Sequence, residues 1–204
     1  MELYDTEEQQ VEAIKDWWKE NGKAAIFGAV IGLGGLFGWR YYQDSTIAAQ
    51  EAASESYTKA VESLAATGAQ AELQTQSFID ANGDTEYAVL AALQLAKVQV
   101  EANQLDAAIE QLQWATTASK DQALLAVIHY RLARLQAEQG NFDGSLAQLD
   151  NITDEGWQGR VDELKGDILL RKGDVEAAYA AYTEAQQAGD ASEALQMKLD
   201  DLAK

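Results

Sequence analysis

The sequence contains no cysteine and no proline among its 204 residues. Without cysteine there is no disulfide framework, no thiolate nucleophile and no cysteine-ligated metal. Sheet proteins usually mark their turns with proline and glycine, and the complete lack of proline argues against one here. Hydrophobic residues make up 47% of the chain, which is enough for a buried core. The composition therefore predicts an all-α fold.

Histidine, a common catalytic residue, is also scarce. His129 is the only histidine, and it lies on a predicted helix near core positions, where a packed side chain is expected rather than a catalytic one. The sequence contains no HExxH, G-x-S-x-G or phosphate-binding loop motif. We therefore predict that the chain is not an enzyme and has no cofactor or metal. A hydrolase built around His129 is the catalytic alternative.

Basic residues are few, with 15 against 34 acidic ones and a net charge of −19. Residues 41–204 alone carry a net charge of −16. A surface of this charge repels phosphate, so no nucleic-acid partner is expected. Solubility is the ordinary explanation of the acidity, and a surface that meets basic partners is the alternative.

One long hydrophobic run is present. Ala24–Trp39 contains no charged residue, and as a helix it extends roughly 24 Å, so its flanks must complete the ~30 Å hydrocarbon core. Lys23 and Arg40 can reach the two interfaces, where the tyrosines after Arg40 also fit. The run predicts a transmembrane helix over residues 23–42. A cleaved signal peptide is the alternative, but the run does not end in the small residues of a cleavage site.

Basic residues around the span predict its orientation. Lys15, Lys19 and Lys23 precede it, whereas Arg40 alone lies close on the other side. The positive-inside rule then places the amino terminus in the cytoplasm. The chain is therefore predicted to be a single-pass type II protein of a bacterial inner membrane, with its carboxyl-terminal domain in the periplasm.

Two further features accompany the span. Glycines at i, i+4 spacing predict a face for helix packing in lipid, although glycine is common in membrane helices for other reasons. These glycines are Gly28, Gly32, Gly34 and Gly38. Before the span, Val11, Ile14 and Trp18 recur at helical spacing, which predicts a short amphipathic helix on the inner membrane surface.

The rest of the chain is predicted to form helical hairpins. Helices are expected over residues 47–66 and from Leu73 to Ile79, followed by a repeat of about 34 residues, the period of tetratricopeptide repeats. We predict four parts along the chain. They are a cytoplasmic tail (1–22), a transmembrane helix (23–42), a helical lead-in (43–83) and tetratricopeptide-like repeats (84–204).

Each repeat is marked by a turn, an apolar residue and a small residue three positions later. The small residues are Ala108, Ser145 and Ala178; twelve positions earlier stand Ala96, Ala133 and Gly166, and four positions later Leu112, Leu149 and Tyr182. Small residues at both positions let the two helices of a hairpin approach, and stacking creates a core that one hairpin cannot form alone. An α-solenoid of at least three degenerate hairpins is predicted, with a plain helical bundle as the alternative.

Stacked hairpins leave a concave face lined by their first helices. Repeat geometry directs six side chains towards it: Leu93, Lys97, Tyr130, Arg134, Arg160 and Arg171. Four of the six are basic although residues 41–204 contain only eleven basic residues, so this face is predicted to bind partner segments. Ordinary solvated charges are the alternative. Trp157 is expected to pack against the neighbouring repeat or, if exposed, to anchor a partner.

Short motifs occur in order along essentially the whole chain. They are the start Met-Glu-x-Tyr, Gln10-Val11-Glu12-Ala13, Glu20-Asn21-Gly22-Lys23, Gly38-Trp39-Arg40-Tyr41, Arg131-Leu132-Ala133-Arg134, Glu155-Gly156-Trp157, Lys172-Gly173-Asp174 and Gln196-Met197-Lys198-Leu199. Each is weak alone, and their combination resembles the ancillary SecYEG translocon subunit family, also called YfgM-like.

The resemblance implies an inner-membrane protein with a cytoplasmic amino end and a periplasmic tetratricopeptide-like domain. It further implies association with the SecYEG translocon and with the membrane-anchored periplasmic chaperone PpiD. Unfolded exported proteins are candidate partners, and such a scaffold would pass them to periplasmic chaperones. Membrane lipid is expected around the anchor. The family supplies no catalytic residues. The alternative function is a membrane-tethered regulator whose cytoplasmic tail holds a stress-response signalling protein.

Overall fold

The structure is a computed structural model that describes residues 7–190 and 192–202. All regular elements in these ranges are helical, which confirms the predicted all-α fold. The α-helices are α1 (Glu7–Thr67), α2 (Glu72–Ala81), α3 (Glu86–Glu101), α4 (Leu105–Ala118), α5 (Gln122–Glu138), α6 (Phe142–Leu149), α7 (Gln158–Lys172), α8 (Val175–Ala188) and α9 (Leu195–Leu202). Short 3₁₀ turns occupy Gly68–Ala71 and Glu155–Trp157.

The chain divides into two compact units, Met1–Ala52 and Ala53–Lys204. In the first unit, α1 runs without a break from residue 7 through the predicted span. The sequence had predicted a separate surface helix before the span, whereas the structure has one continuous helix. The first six residues of the predicted tail, which include the Met-Glu-x-Tyr motif, lie outside the described residues. The four-part division of the chain stays a prediction.

The continuity of α1 has a local cause. Proline, the strongest helix breaker, is absent from the chain. Polar side chains at either end of the span bond back to their own helix instead of breaking it. Asn21 Nδ2 donates to the Trp17 carbonyl at 3.2 Å, and Thr46 Oγ1 donates to the Tyr42 carbonyl at 2.9 Å.

Within the described residues, one helix is long and apolar enough to cross a membrane. Its large side chains are exposed in the protein itself, for example Phe27 at 68%, Ile31 at 72% and Phe37 at 71%. A helix in the core of a soluble domain would bury such side chains, whereas a helix surrounded by lipid exposes them. The exposure supports a membrane anchor in this part of α1.

The second unit is a succession of helical hairpins. Helices α3 and α4, α5 and α6, and α7 and α8 pack pairwise, and each hairpin also contacts the next. Helix α5 belongs to two core clusters, because Ile128 and Leu132 pack in the first and Ala126 and Ala133 in the second. Cores that share a helix in this way are typical of a solenoid, in which each repeat is stabilised by its neighbours.

The turn within each hairpin has the same backbone geometry. Asn103, Gly140 and Gly173 have φ angles of 59°, 78° and 94°, a left-handed conformation that glycine adopts freely and asparagine tolerates. In the third hairpin the Asp174 N–H donates to the Leu169 carbonyl at 3.0 Å, and equivalent bonds close the other two turns. These are Schellman motifs, which satisfy the last carbonyls of the first helix.

The small residues of the repeat marker lie where the paired helices touch. Ala108, Ser145 and Ala178 are completely buried. Ser145 Oγ donates to the Ala133 carbonyl at 2.6 Å, linking α6 to α5 across the predicted separation of twelve residues. The tetratricopeptide-like hairpin prediction is confirmed.

A final helix, α9, packs against the third hairpin. Leu195 and Leu199 are buried in a cluster with Ala178, Tyr182 and Ala185 of α8. The repeat marker does not extend to this helix, so the periodicity gave no sign of it. Because it covers apolar side chains of the last hairpin, α9 acts as a terminal cap of the stack.

Candidate partner-binding groove

A cavity of about 820 Å³ lies along the first helices of the three hairpins, α3, α5 and α7. Its volume falls in the range of roughly 300–1,000 Å³ that is usual for ligand pockets. Four of the six side chains predicted for the concave face line it: Leu93, Lys97, Arg134 and Arg171. We call this cavity the groove.

Charged pairs and an apolar floor make up the groove. Leu93 is only 5% exposed and belongs to the core as well as to the floor. Lys97 Nζ lies 3.8 Å from Glu101 Oε1, a loose contact between two exposed side chains. Arg171 Nη1 lies 3.0 Å from Glu138 Oε2. The predicted basic residues therefore reach the groove, but two of them already have acidic neighbours.

The remaining predicted residues line a second, more polar cavity of about 480 Å³. Tyr130, Arg134 and Arg160 line it together with Lys198 of α9. Arg134 lines both cavities, so it stands at their junction. The six predicted residues thus fall into two neighbouring sites rather than one continuous face.

Trp157 packs on its own chain. Its side chain is half-buried, and its ring centroid lies 5.5 Å from that of Tyr130. The guanidinium carbon of Arg160 lies 5.3 Å from the Trp157 ring centroid, within cation–π range. Burial raises the pKa of Tyr130 above its usual range, although Arg134 opposes this. The three side chains form a local cluster, which agrees with the packing role expected for Trp157.

Arg131 also lines the groove, and the prediction of concave-face residues omitted it. It stands three residues before Arg134 on α5, and residues at this spacing lie on neighbouring parts of one helix face. The helical spacing to a residue already assigned to the groove could have identified it. The sequence reasoning had treated it only as part of a family motif.

A partly buried polar cluster at the edge of the second cavity attaches α9 to α7. Lys198 Nζ lies 2.8 Å from Glu163 Oε1 and 2.7 Å from Asp167 Oδ1. Ser192 donates its backbone N–H to Glu163 Oε2 at 2.7 Å, and the Tyr182 hydroxyl donates to Asp167 Oδ1 at 2.7 Å. Lys198 therefore bridges two carboxylates of one helix that are four residues apart.

The titration of this cluster follows from its contacts. Burial alone would raise the pKa of Glu163, but hydrogen bonds from Lys198 and Ser192 outweigh it and hold that pKa below its usual range. Burial would likewise lower the pKa of Lys198, but the bonds to Asp167 and Glu163 raise it overall. Both partners are therefore charged near neutral pH, and the bridge is an ion pair.

The four predicted packing glycines lie on the exposed part of α1. A Cβ atom built at Gly28, Gly32, Gly34 or Gly38 would meet no other atom within 4 Å. These positions therefore make no close approach to other described residues of the chain. A role in packing against another membrane helix stays a prediction.

His129 has a structural partner. Its Nδ1 lies 2.8 Å from Gln148 Oε1, so the ring joins α5 to α6 within a hairpin. The side chain is half-buried. This contact matches the packed histidine that the sequence favoured.

Two solved structures share the architecture. The Pseudomonas aeruginosa PilF structure superposes with a TM-score of 0.59 at 15% identity, covering 75% of this chain and 68% of that one. A tetratricopeptide repeat protein from Parabacteroides merdae gives a TM-score of 0.57 at 14% identity, covering 73% of this chain and 60% of that one. At such identities the likeness concerns the fold alone.

Sequence comparisons extend over almost the whole chain. Residues 15–204 match the family model described as a tetratricopeptide repeat-like domain. The chain is 39% identical to the ancillary SecYEG translocon subunit of Escherichia coli (strain K12), with 99% of each protein covered. It is 40% identical to the protein of that name from Aggregatibacter actinomycetemcomitans, with 96% of this chain and 97% of the relative covered. The chain therefore belongs to the ancillary SecYEG translocon subunit family.

Proposed function

We propose that the chain is a membrane-anchored scaffold that associates with the SecYEG translocon and binds segments of partner proteins in the groove. The observation that carries the proposal is similarity over 99% of both chains to a relative named as a translocon subunit. A match confined to the repeats would indicate only a binding module. A match that also covers the anchor supports the same membrane setting and the same assembly.

The orientation belongs to the proposal as well. Three lysines before the span against one nearby arginine after it favour a cytoplasmic amino end. The carboxyl-terminal domain then faces the periplasm of a Gram-negative bacterium. There the acidic repeats stand beside the exit of the export channel.

The finer part of the proposal concerns chaperones. We infer that the repeats link exported proteins emerging from SecYEG to the periplasmic chaperone PpiD. The groove supports this role because it offers an apolar floor with charged groups along its rim, a combination suited to segments of other proteins. Unfolded exported proteins would use the same kind of contact.

Purification of the tagged full-length chain in a gentle detergent tests the partner class. We expect SecY, SecE, SecG and PpiD to co-purify, as identified by mass spectrometry. An unrelated tagged single-span protein, expressed at the same level, controls for adhesion to membrane fragments. Recovery of neither SecYEG nor PpiD above that control would reject the proposal. Recovery of SecYEG alone would keep the translocon association and remove the PpiD link.

Photo-crosslinking locates the contact surface. A photoreactive amino acid at position 130, 134 or 157 should capture a translocon or chaperone subunit in intact membranes. Matched controls are the exposed positions of Gln113 and Glu184, which lie on second helices of hairpins, away from both cavities. Equal capture from the control positions would show that the surface around the two cavities and Trp157 is not the binding surface.

The cytoplasmic tail favours one other candidate function. Val11, Ile14, Trp17 and Trp18 are 50%, 67%, 54% and 55% exposed on α1, and exposed apolar groups of this size often mark contact sites. A membrane-tethered regulator would use this stripe to hold a stress-response signalling protein. Deletion of residues 2–16 distinguishes the two functions. Loss of PpiD from the purified complex after this deletion would assign the contact to the tail and not to the repeats.

A further inference from the structure

The groove departs from the charge of the domain around it. Residues 41–204 carry a net charge of −16, yet the lining contains four cationic side chains and only three carboxylates. The cationic side chains are Lys97, Arg131, Arg134 and Arg171, and the carboxylates are those of Glu101, Glu138 and Asp167. A local excess of positive charge inside an acidic surface requires an explanation.

Each carboxylate of the lining already has a cationic neighbour. Glu101 lies beside Lys97 at 3.8 Å, and Glu138 lies beside Arg171 at 3.0 Å. Asp167 is bound by Lys198, a residue of α9 that lies outside the groove. All three carboxylates of the lining are therefore paired with cations other than Arg131 and Arg134.

Arg131 and Arg134 differ from the other two cationic side chains of the groove. Within residues 7–190 and 192–202, neither guanidinium has a hydrogen bond or an ion pair. Both side chains are exposed, and they stand three residues apart on one face of α5. A guanidinium presents a planar set of donors that matches a carboxylate, so two neighbouring ones form a ready acceptor for an acidic group.

Apolar side chains surround the two arginines. Val100 and Leu170 line the groove and are each 38% exposed, so both leave apolar surface that an occupant of the groove can cover. Leu135 follows Arg134 directly and is half-buried in the same lining. An occupant gains most from this surface when it covers these apolar groups while it places negative charge on the arginines.

We propose that the groove binds a partner-protein segment in which acidic side chains alternate with large apolar ones, and that Arg131 and Arg134 hold its side-chain carboxylates. The inference rests on the proposed function of the groove as a binding surface and adds the chemistry of the ligand. The cavity of about 820 Å³ takes a short segment and not a folded domain. Basic or neutral apolar segments fit the lining less well, because they leave both guanidiniums without a counter-charge.

A direct test uses the full chain in nanodiscs of phosphatidylcholine and two synthetic peptides. The acidic probe is LEELLEELLEEL, and its control is LQQLLQQLLQQL, which has the same apolar content. Both carry an amino-terminal fluorescein and a carboxyl-terminal amide, so that no terminal carboxylate is present. We expect the acidic probe to bind at least about tenfold more tightly by fluorescence anisotropy. The net charge of the chain works against that probe, so such a preference can only be local.

Two matched double substitutions assign the effect to the arginines. R131E/R134E should weaken binding of the acidic probe by about tenfold or more, whereas R131K/R134K should weaken it less. K59E/K120E makes the same change in net charge at exposed positions outside the groove and should leave binding unchanged. Far-UV circular dichroism verifies that each variant is folded.

Several outcomes would overturn the inference. Equal binding of the two peptides would do so, and so would an equal loss in K59E/K120E. Self-association that R131E/R134E abolishes, with peptide binding unchanged, would assign the arginines to a contact between copies of the chain. None of these results would argue against the proposed association with the translocon, because co-purification with SecYEG tests that association separately.

Discussion

The ring of Tyr182 occupies the space that a Cβ atom of Gly166 would fill, so the backbone of α7 lies directly against α8 at this point. The hydroxyl of the same tyrosine donates to Asp167, the next residue of α7, at 2.7 Å. Tyr182 is 1% exposed. A single aromatic side chain thus sets both the spacing and the register of the third hairpin.

Gly166→Ala should therefore destabilise the repeat domain. A helix gains about 1 kcal/mol when alanine replaces glycine, but overlap in a packed core costs about 1–3 kcal/mol. Displacement of Tyr182 would also weaken its hydrogen bond, worth about 1 kcal/mol. We expect a net loss of about 1–3 kcal/mol in the free energy of unfolding, measured by urea denaturation of the full chain in detergent.

A double-mutant cycle separates overlap from other causes. With Tyr182→Leu as background, the ring is absent and Gly166→Ala should become neutral or stabilising. If Gly166→Ala costs the same in both backgrounds, contact with Tyr182 is not the reason for the glycine.

The attachment of α9 should depend on pH. The pKa of Glu163 is lowered in the folded protein. The ionised carboxylate therefore stabilises the folded state at pH values above the unfolded pKa of about 4.3, and this stabilisation is lost as the pH falls through the folded pKa. The pKa of Lys198 is raised, so its contribution is present below about 10.4 and is lost as the pH rises through the folded pKa. The hydrogen-exchange protection factors of residues 195–202, which compare each rate with that of an unstructured chain at the same pH, should be highest between these limits and should fall at both extremes.

Substitution of Lys198 should destabilise the repeat domain less at acidic pH than at neutral pH. Lys198→Gln leaves Glu163, which is 6% exposed, without its cation. Because the Lys198 side chain is 28% exposed, the cost should be below the roughly 3–5 kcal/mol of a fully buried pair. Protonation of Glu163 relieves that cost, so the penalty of Lys198→Gln should be smaller at pH 4 than at pH 7. A penalty that does not vary with pH would show that the ion pair does not hold α9. Lys59→Gln, at an exposed pair, is the matched control and should leave the free energy of unfolding nearly unchanged.

Trp157→Ala should destabilise the second and third hairpins. The side chain is half-buried, so the loss should be about 2 kcal/mol rather than the 3–5 kcal/mol of a fully buried tryptophan. Trp157→Phe keeps an aromatic ring against Tyr130 and should cost less than about 1 kcal/mol. Unfolding by urea measures both. A neutral Trp157→Ala combined with loss of partner crosslinks would make Trp157 a binding anchor instead.

The absence of cysteine allows a clean test of orientation. Single-cysteine variants at Gln10 and Lys120, both exposed, place one thiol before the span and one after it. In intact spheroplasts a membrane-impermeant maleimide should label K120C and not Q10C, because the positive-inside rule places residue 10 in the cytoplasm. Detergent lysis should then expose Q10C to the reagent. The opposite labelling pattern would reverse the proposed topology.

Much of the fold could be predicted because the repeat leaves local signatures. The turns at Asn103, Gly140 and Gly173 need a left-handed residue, and such a requirement is visible in the sequence. The buried small residues, such as Ser145, can also be recognised in the sequence, because only small side chains let two helices approach closely.

The parts that were not predicted depend on tertiary contacts. Lys198 and Glu163 are 35 residues apart in the sequence, and no local sequence pattern predicts an ion pair between residues so far apart. The groove arginines are distinguished by the partners of other residues: Arg171 has Glu138, whereas Arg131 has none among the described residues. A separate surface helix was predicted from the spacing of Val11, Ile14 and Trp18, but this spacing does not show where a helix ends, and α1 continues through the span.

The ion pair of α9 has a consequence for biosynthesis. The ribosome makes the chain from its amino end, so Glu163 and Asp167 are synthesised before Lys198. Until the lysine follows, two carboxylates one helical turn apart on α7 repel each other, and Tyr182 lacks the cover of Leu195 and Leu199. We expect the first two hairpins to fold before synthesis is complete and the third to assemble only after residue 198 has been made, so that the repeat domain would mature in two stages.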